Sequence, residues 1–198
     1  EEDWQKLQGV LGIDESRPNL TALPFMKSLL HAGGSLSRIF AFVAPRGVGP
    51  TAWTDDEKER THIRRRFMLL GQTLASMQIY DVCRAVDAVQ EIQPGVRVVL
   101  AGKDDAAVTA LYASLLASNV AAVELANLPT THQDAPDLLN VLRTLDLPQT
   151  VALAAERRRV VLETSEPDAW SYPQKVVERL GWDDKRLRII ATKAAEAQ

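Results

Sequence analysis

The chain has little of several things. Among its 198 residues there is one cysteine, Cys83, so no disulfide forms within the chain. That leaves the compartment open, because a domain of this length builds an adequate core without covalent staples. No run of about 18 apolar residues occurs, which excludes a hydrophobic membrane-spanning helix. No signal peptide is legible, and the sequence opens Glu1-Glu2-Asp3 without Met, so a processed or excised piece of a larger chain is expected. Neither sign of charge dominates: 23 Lys and Arg against 26 Asp and Glu leave a net −3, no electrostatic basis for binding nucleic acid or an anionic membrane. Arg64-Arg65-Arg66 and Arg157-Arg158-Arg159 adjoin apolar runs and read as solvated element ends. Histidine is scarce: His31, His62 and His132 are the only three. No Cys/His/Asp cluster has metal-ligand spacing, so neither a metal nor another cofactor is expected.

What is present is the composition of one globular domain, 46% apolar and 25% charged. Residues 1–37 read as a helical and loop segment, with Met26, Leu29 and Leu30 at helical spacing before Gly33-Gly34. From 38 onward, short apolar runs alternate with helix-period segments. Strands are expected near 38–43, 96–101, 120–125, 158–163 and 186–190. Helices are expected from about Asp55, where Thr54-Asp55-Asp56-Glu57 fits a capping box, to Gly71. Others are expected over 73–89, 106–117, 136–144, 148–155 and 173–180, with a last one in the tail. On the second, Ile79, Val82, Val86 and Val89 make one apolar face, and Cys83 reads as a small buried hydrophobe. The alternation predicts an α/β fold: a mostly parallel, doubly wound sheet with helices on both faces.

Gly102-Lys103-Asp104-Asp105-Ala106 lies between a strand and a helix, the setting of a G-x-S-x-G nucleophile elbow, with Asp104 in the nucleophile slot and Ala106 for the last Gly. Ala44-Pro45-Arg46-Gly47-Val48-Gly49 follows an apolar run. Leu69-Leu70-Gly71-Gln72-Thr73-Leu74 leads on to Tyr80-Asp81-Val82-Cys83-Arg84-Ala85-Val86-Asp87, and Leu111-Tyr112-Ala113 lies on the helix after the elbow. Through these phrases the chain resembles the α/β-hydrolase superfamily, and within it the bacterial acetyl-xylan-esterase and prolyl-oligopeptidase-like branch, over roughly 38–190. The resemblance implies a triad in the order nucleophile, acid, histidine. Glu166 or Asp168 would fill the acid position, while no histidine follows the final strand. It also implies a secreted or periplasmic setting.

Each candidate has a plainer reading. Asp104 or Asp105 serves as an N-cap by position alone, whereas a carboxylate nucleophile needs a histidine base. Glu166-Pro167-Asp168 is either a vestigial acid turn or a capped helix start. His31, before Gly33-Gly34, imitates an oxyanion motif but reads as a helix C-terminal histidine. His132 sits in the long loop after a parallel strand, on the rim where such folds bind ligands, and reads otherwise as a loop histidine bonded to backbone. Gly47-Val48-Gly49-Pro50 lacks the third glycine of a dinucleotide cradle. Trp53, Trp170 and Trp182 fit a sheet margin or a carbohydrate-binding rim equally well. The expectation is a degenerate α/β-hydrolase-like domain over 38–198, part of a larger chain, with a structural or ligand-binding role. Arg46, Lys103 and His132 would offer donors to a carbohydrate or small carboxylate. Two other readings stand beside it: an active carboxylic ester hydrolase whose missing groups lie outside this stretch, and an unrelated doubly wound binding domain.

Overall fold

Four strands lie side by side, all parallel, in the order in which they occur. They are β1 Val98–Lys103, β2 Val120–Ala126, β3 Arg159–Thr164 and β4 Leu187–Ala191. The structure is a computed structural model and describes residues 41–192, together with Ile13–Asp14 and Arg17–Pro18. The chain divides into two units, 1–55 and 56–198. In the first, Ile13–Asp14 pairs antiparallel with Arg17–Pro18. The turn at 45–52 closes on itself: Thr51 Oγ1 donates to the Pro45 and Val48 carbonyls, and the amides of Gly47, Val48 and Thr51 all donate within the turn. Those amides are therefore used internally, not presented as an anion cradle. The predicted helix at 23–33, His31 and the tail helix lie outside the described residues.

In the second unit five α-helices are described: α1 Glu57–Leu69, α2 Leu74–Ile92, α3 Asp105–Leu116, α4 Leu147–Arg157 and α5 Ser171–Leu180. Each strand-to-strand connection of the sheet carries one of α3, α4 and α5, and right-handed crossovers repeated in one direction stack their helices on one face. Val123, Leu125, Val160 and Leu162 on that face pack with Ala107 and Leu111 of α3, Leu147 and Val151 of α4, and Trp170. A second cluster joins Ile79, Cys83 and Val86 of α2 to Ala113, Ala117 and Val120. Burial raises the Cys83 thiol, as expected of a thiol packed as a hydrophobe. This is the parallel α/β class expected from the sequence, one wing of a doubly wound sheet.

Local sequence sets the helix ends. Asp56 caps α1 by accepting from Glu59 N at 2.8 Å, so the helix begins two residues later than the spacing predicts. Thr73 and Ser76 form a reciprocal capping box on α2, each bond 3.0 Å. Asp146 caps α4, with Pro148 inside its first turn. Two arginines close helices at the other end. Arg158 donates to the Ser114, Ala117 and Ser118 carbonyls at 3.3, 3.0 and 3.3 Å, in and just past the last turn of α3. Arg186 donates to the Ala155 and Glu156 carbonyls at the end of α4, its guanidinium 5.8 Å from the Trp182 ring centroid. A cation at a helix C-terminus satisfies orphan carbonyls and opposes the negative end of the helix dipole. Arg158 is thus a clamp, not the solvated charge expected of its triplet.

Two expected elements are corrected. Residues 136–144 form no α-helix: the segment holds a single 3-10 turn at Val141–Arg143, and Asn140 at φ 61° breaks any helical run. Residues 41–43 of the strand expected over 38–43 are not in a strand, and Phe42 and Val43 are 56% and 46% exposed. Residues 38–40 lie outside the described residues.

Candidate functional site

The elbow is built, and Asp104 is its tip. Asp104 follows β1 directly and takes φ 54°, ψ −125°, a backbone state that side chains other than glycine's rarely adopt. Two backbone bonds pin it there: Asp104 N donates to Ala126 O at 2.9 Å, and Ala107 N donates to Asp104 O at 2.9 Å. The strand enters so close to the helix that Gly102 cannot carry a side chain. A Cβ there would lie 2.6 Å from the Ala106 carbonyl carbon and 2.8 Å from Ala107 N. This explains why the first glycine of the elbow is present.

The geometry corrects the capping role expected of Asp104. Its carboxylate makes no cap hydrogen bond to α3 and is exposed. An N-cap residue normally holds extended backbone, which carries its oxygen over the first amides. The positive φ of Asp104 turns the side chain away from them. Asp105, in the first turn, still suits the helix dipole. The first-turn amides of α3, at Asp105 and Ala106, have no carbonyl four residues back to bond.

The neighbouring strand ends carry on the rim. Asn127, one residue past β2, also has positive φ, 49°, and its amide donates to Glu163 O at 2.9 Å. The register Lys103 to Ala126 to Glu163 places Asp104 and Asn127 on adjacent strand tips, about 5 Å apart by the spacing of paired strands. Lys103 and Glu163 belong to the sheet face opposite the helices, and burial raises the Glu163 carboxyl. Glu166 and Asp168 follow β3 and are both exposed. The Glu166 side chain does not act as a cap: its carboxylate makes no cap bond to the turn Pro167–Trp170, while its backbone amide donates to Thr164 Oγ1 at 3.0 Å. The helix start expected there is present, as a 3-10 turn at Pro167–Trp170 that leads into α5, but the Glu166 carboxylate does not cap it.

His132 is turned into the helix layer. Its residue is 7% exposed, and its Nε2 is 2.8 Å from the Tyr112 hydroxyl of α3. Tyr112 also lies 3.3 Å from Thr150 Oγ1 of α4, and Thr150 donates to Asp146 O at 2.9 Å. The Asp146 carboxylate accepts from His132 N at 2.7 Å, Thr131 Oγ1 at 2.8 Å and Leu147 N at 2.8 Å. Burial works against that carboxylate, but the three bonds outweigh it and hold its pKa below the ordinary value. Burial also lowers the His132 pKa, against a smaller opposing pull from Asp146, and raises that of Tyr112.

Of the residues singled out from the sequence, the strand tips bring Gly102, Lys103, Asp104 and Ala106 to one rim, with Glu166 and Asp168 following β3 two strands away. His132 packs against α3 and α4 beside it. Arg46 belongs to the other unit, and His62 is exposed on α1. Sequence reasoning missed Asn127 and Tyr112. An Asn one residue past a strand, in a position that often needs positive φ, was the available signal for the first. Among the described residues no cluster of His, Cys, Asp or Glu is arranged to hold a metal ion, and no helix is long and apolar enough to cross a membrane.

No family model matches the chain, and no curated protein does. Among solved structures its fold is similar to a crystal structure of a "putative acetyl xylan esterase" from Bacteroides fragilis, at 16% identity and a TM-score of 0.56. The likeness covers 75% of this chain and 45% of that one, so the chain spans less than half the length of the protein it matches. At that identity the likeness is one of fold.

Proposed function

We propose that residues 56–198 are a hydrolase-like domain that keeps the nucleophile elbow as a binding device and does not perform ester hydrolysis on its own. The observation that carries this is Asp104: a strained, exposed, uncapped carboxylate at the tip of an elbow whose entering strand tolerates only glycine at 102. Strained backbone persists where the surroundings over-determine it, and it clusters at sites that hold a ligand. Acyl transfer needs a nucleophile activated by a base, and an aspartate tip with no histidine after position 132 offers neither the hydroxyl nor the base of the usual order.

The rim favours sugar hydroxyls over a small carboxylate. Asp104, Glu166 and Asp168 are hydrogen-bond acceptors that repel an anion and outnumber the rim cation, Lys103, while the Asn127 side-chain amide both accepts and donates. The fold likeness to an esterase-like protein agrees with a carbohydrate ligand within a longer, carbohydrate-esterase-like or peptidase-like protein. Titration of the isotope-labelled chain with xylo-oligosaccharides tests this by NMR. The amides of Lys103, Asp104, Asp105 and Asn127 shift together, and Asp104→Ala abolishes the shifts. Unchanged shifts in that variant, or shifts confined elsewhere, contradict the reading.

A second reading draws on the same strain: an aspartate held on an elbow is also how a carboxylate nucleophile would be presented. It requires a histidine supplied from outside this stretch. Turnover of an ester or related electrophile by the longer protein, with a substrate-derived mass added to Asp104, would favour it.

A further inference from the structure

We propose that His132 is an acid-operated latch: while neutral it fastens the 127–146 segment to α3 and α4, and on protonation it releases that segment from the rim. The inference is independent of the binding role given to the elbow. The segment is the long connection between β2 and α4, and its described structure is only the two short 3-10 turns. Leu128, Ala135 and Leu138 give it apolar contacts with the core, but its side-chain hydrogen bonds to the helix layer gather at one place. The ring of His132 meets Tyr112 of α3, and its backbone amide, with the Thr131 hydroxyl, meets the carboxylate of Asp146.

The weakness of the tie lies in the ring. Nε2 has the Tyr112 hydroxyl, while Nδ1 is buried and has no hydrogen-bond partner among the described residues. A neutral imidazole leaves one unmet bond there, a moderate penalty. An imidazolium carries N–H on both nitrogens and must place a charge and a donor at a buried atom with no acceptor among the described residues. The groups around it do not supply that acceptor. From α3 it faces the Tyr112 hydroxyl; from the start of α4 it faces Thr150, which donates to Asp146 O, and the Asp146 carboxylate. That carboxylate is the one nearby charge that favours protonation, but it already accepts three hydrogen bonds, and its pull on the ring is weaker than the effect of burial. On its own segment Asp134 is exposed, two residues on. Protonation is therefore met by exposing the ring, and the segment that carries it must move.

Hydrogen exchange of the full chain at pH 8, 7, 6 and 5, corrected for intrinsic rates, reads the latch. In the wild type the opening equilibrium of amides 128–145 rises below the ordinary histidine pKa, at most about tenfold per pH unit for one proton, while amides of α2 and β2 keep their protection. His132→Asn and His132→Phe remove the ionisable ring, so the same amides show no pH-dependent loss in either variant. Ring NMR of the wild type gives an independent check: His132 titrates below the ordinary histidine value of 6.5, and the 128–145 amide shifts follow its midpoint. A pH-dependent loss that persists in both variants overturns the proposal, as does a wild type whose loop amides ignore the His132 titration. If both variants fail to fold, the ring titration and its coupling to the loop shifts decide alone.

Discussion

At the scale of single residues, the elbow stores strain in Asp104 and makes one neighbour irreplaceable. A non-glycine residue held at positive φ costs about 1–3 kcal/mol, and glycine relieves it while adding about 0.5–1 kcal/mol of unfolded-state entropy. Because the Asp104 carboxylate caps nothing, its removal forfeits no helix bond. Asp104→Gly is therefore expected to stabilise the chain by about 1 kcal/mol in urea unfolding. Asp104→Ala retains the strain and should show no such gain. Gly102→Ala has the opposite outcome: its methyl meets the backbone at Ala106 and Ala107, so a loss of about 1–3 kcal/mol is expected from overpacking. Equal stabilities for the wild type and Asp104→Gly would mean that the elbow is not strained. None of this was legible from residue types. The glycine and the aspartate mark an elbow, but the sequence does not state the φ that separates a cap from a presented side chain.

At the scale of elements, the caps and clamps decide which ends hold. Thr73→Ala removes the Thr73 half of a reciprocal box on α2 and should lower stability by about 0.5–2 kcal/mol in urea unfolding. Acid acts on the 127–146 connection in two stages. The His132 pKa is depressed on folding, so the unfolded chain binds the proton first. The stability tied to the neutral ring is present above its ordinary value of 6.5 and declines as pH falls below it. The Asp146 pKa is also depressed, so its contribution persists above its ordinary value of 3.8 and is lost at lower pH, on passing through its folded value. Urea unfolding from pH 8 to 5 should show the first loss in the wild type and not in His132→Phe. The strand positions, by contrast, were readable to within about two residues for the last four strands, because buried parallel strands are continuous apolar runs. The expected helix at 136–144 failed because Asn140 adopts a left-handed turn that local propensity does not fix. The clamps by Arg158 and the Tyr112 to His132 pair join residues 41 and 20 apart, respectively, and no local pattern announces either.

At the scale of the whole molecule, a parallel sheet carries at one strand tip a tight turn into α3 whose exposed residue is an aspartate. The rim retains what topology imposes: strands that run the same way deliver their loops to one edge, whatever chemistry the loops carry. What the residues at that edge supply is acceptors on Asp104, Glu166 and Asp168, a donor on Lys103 and an amide on Asn127. Activity is the measurement that separates presentation from attack most directly. The chain of 198 residues is incubated with p-nitrophenyl acetate and with acetylated xylo-oligosaccharide, alongside Asp104→Ala and a buffer blank. The account predicts release of nitrophenol and acetate no faster than the blank for both proteins, since an acyl-transfer site without its nucleophile and base loses orders of magnitude in rate. Turnover above the blank that disappears in Asp104→Ala would contradict it, and would make the elbow aspartate a catalytic residue.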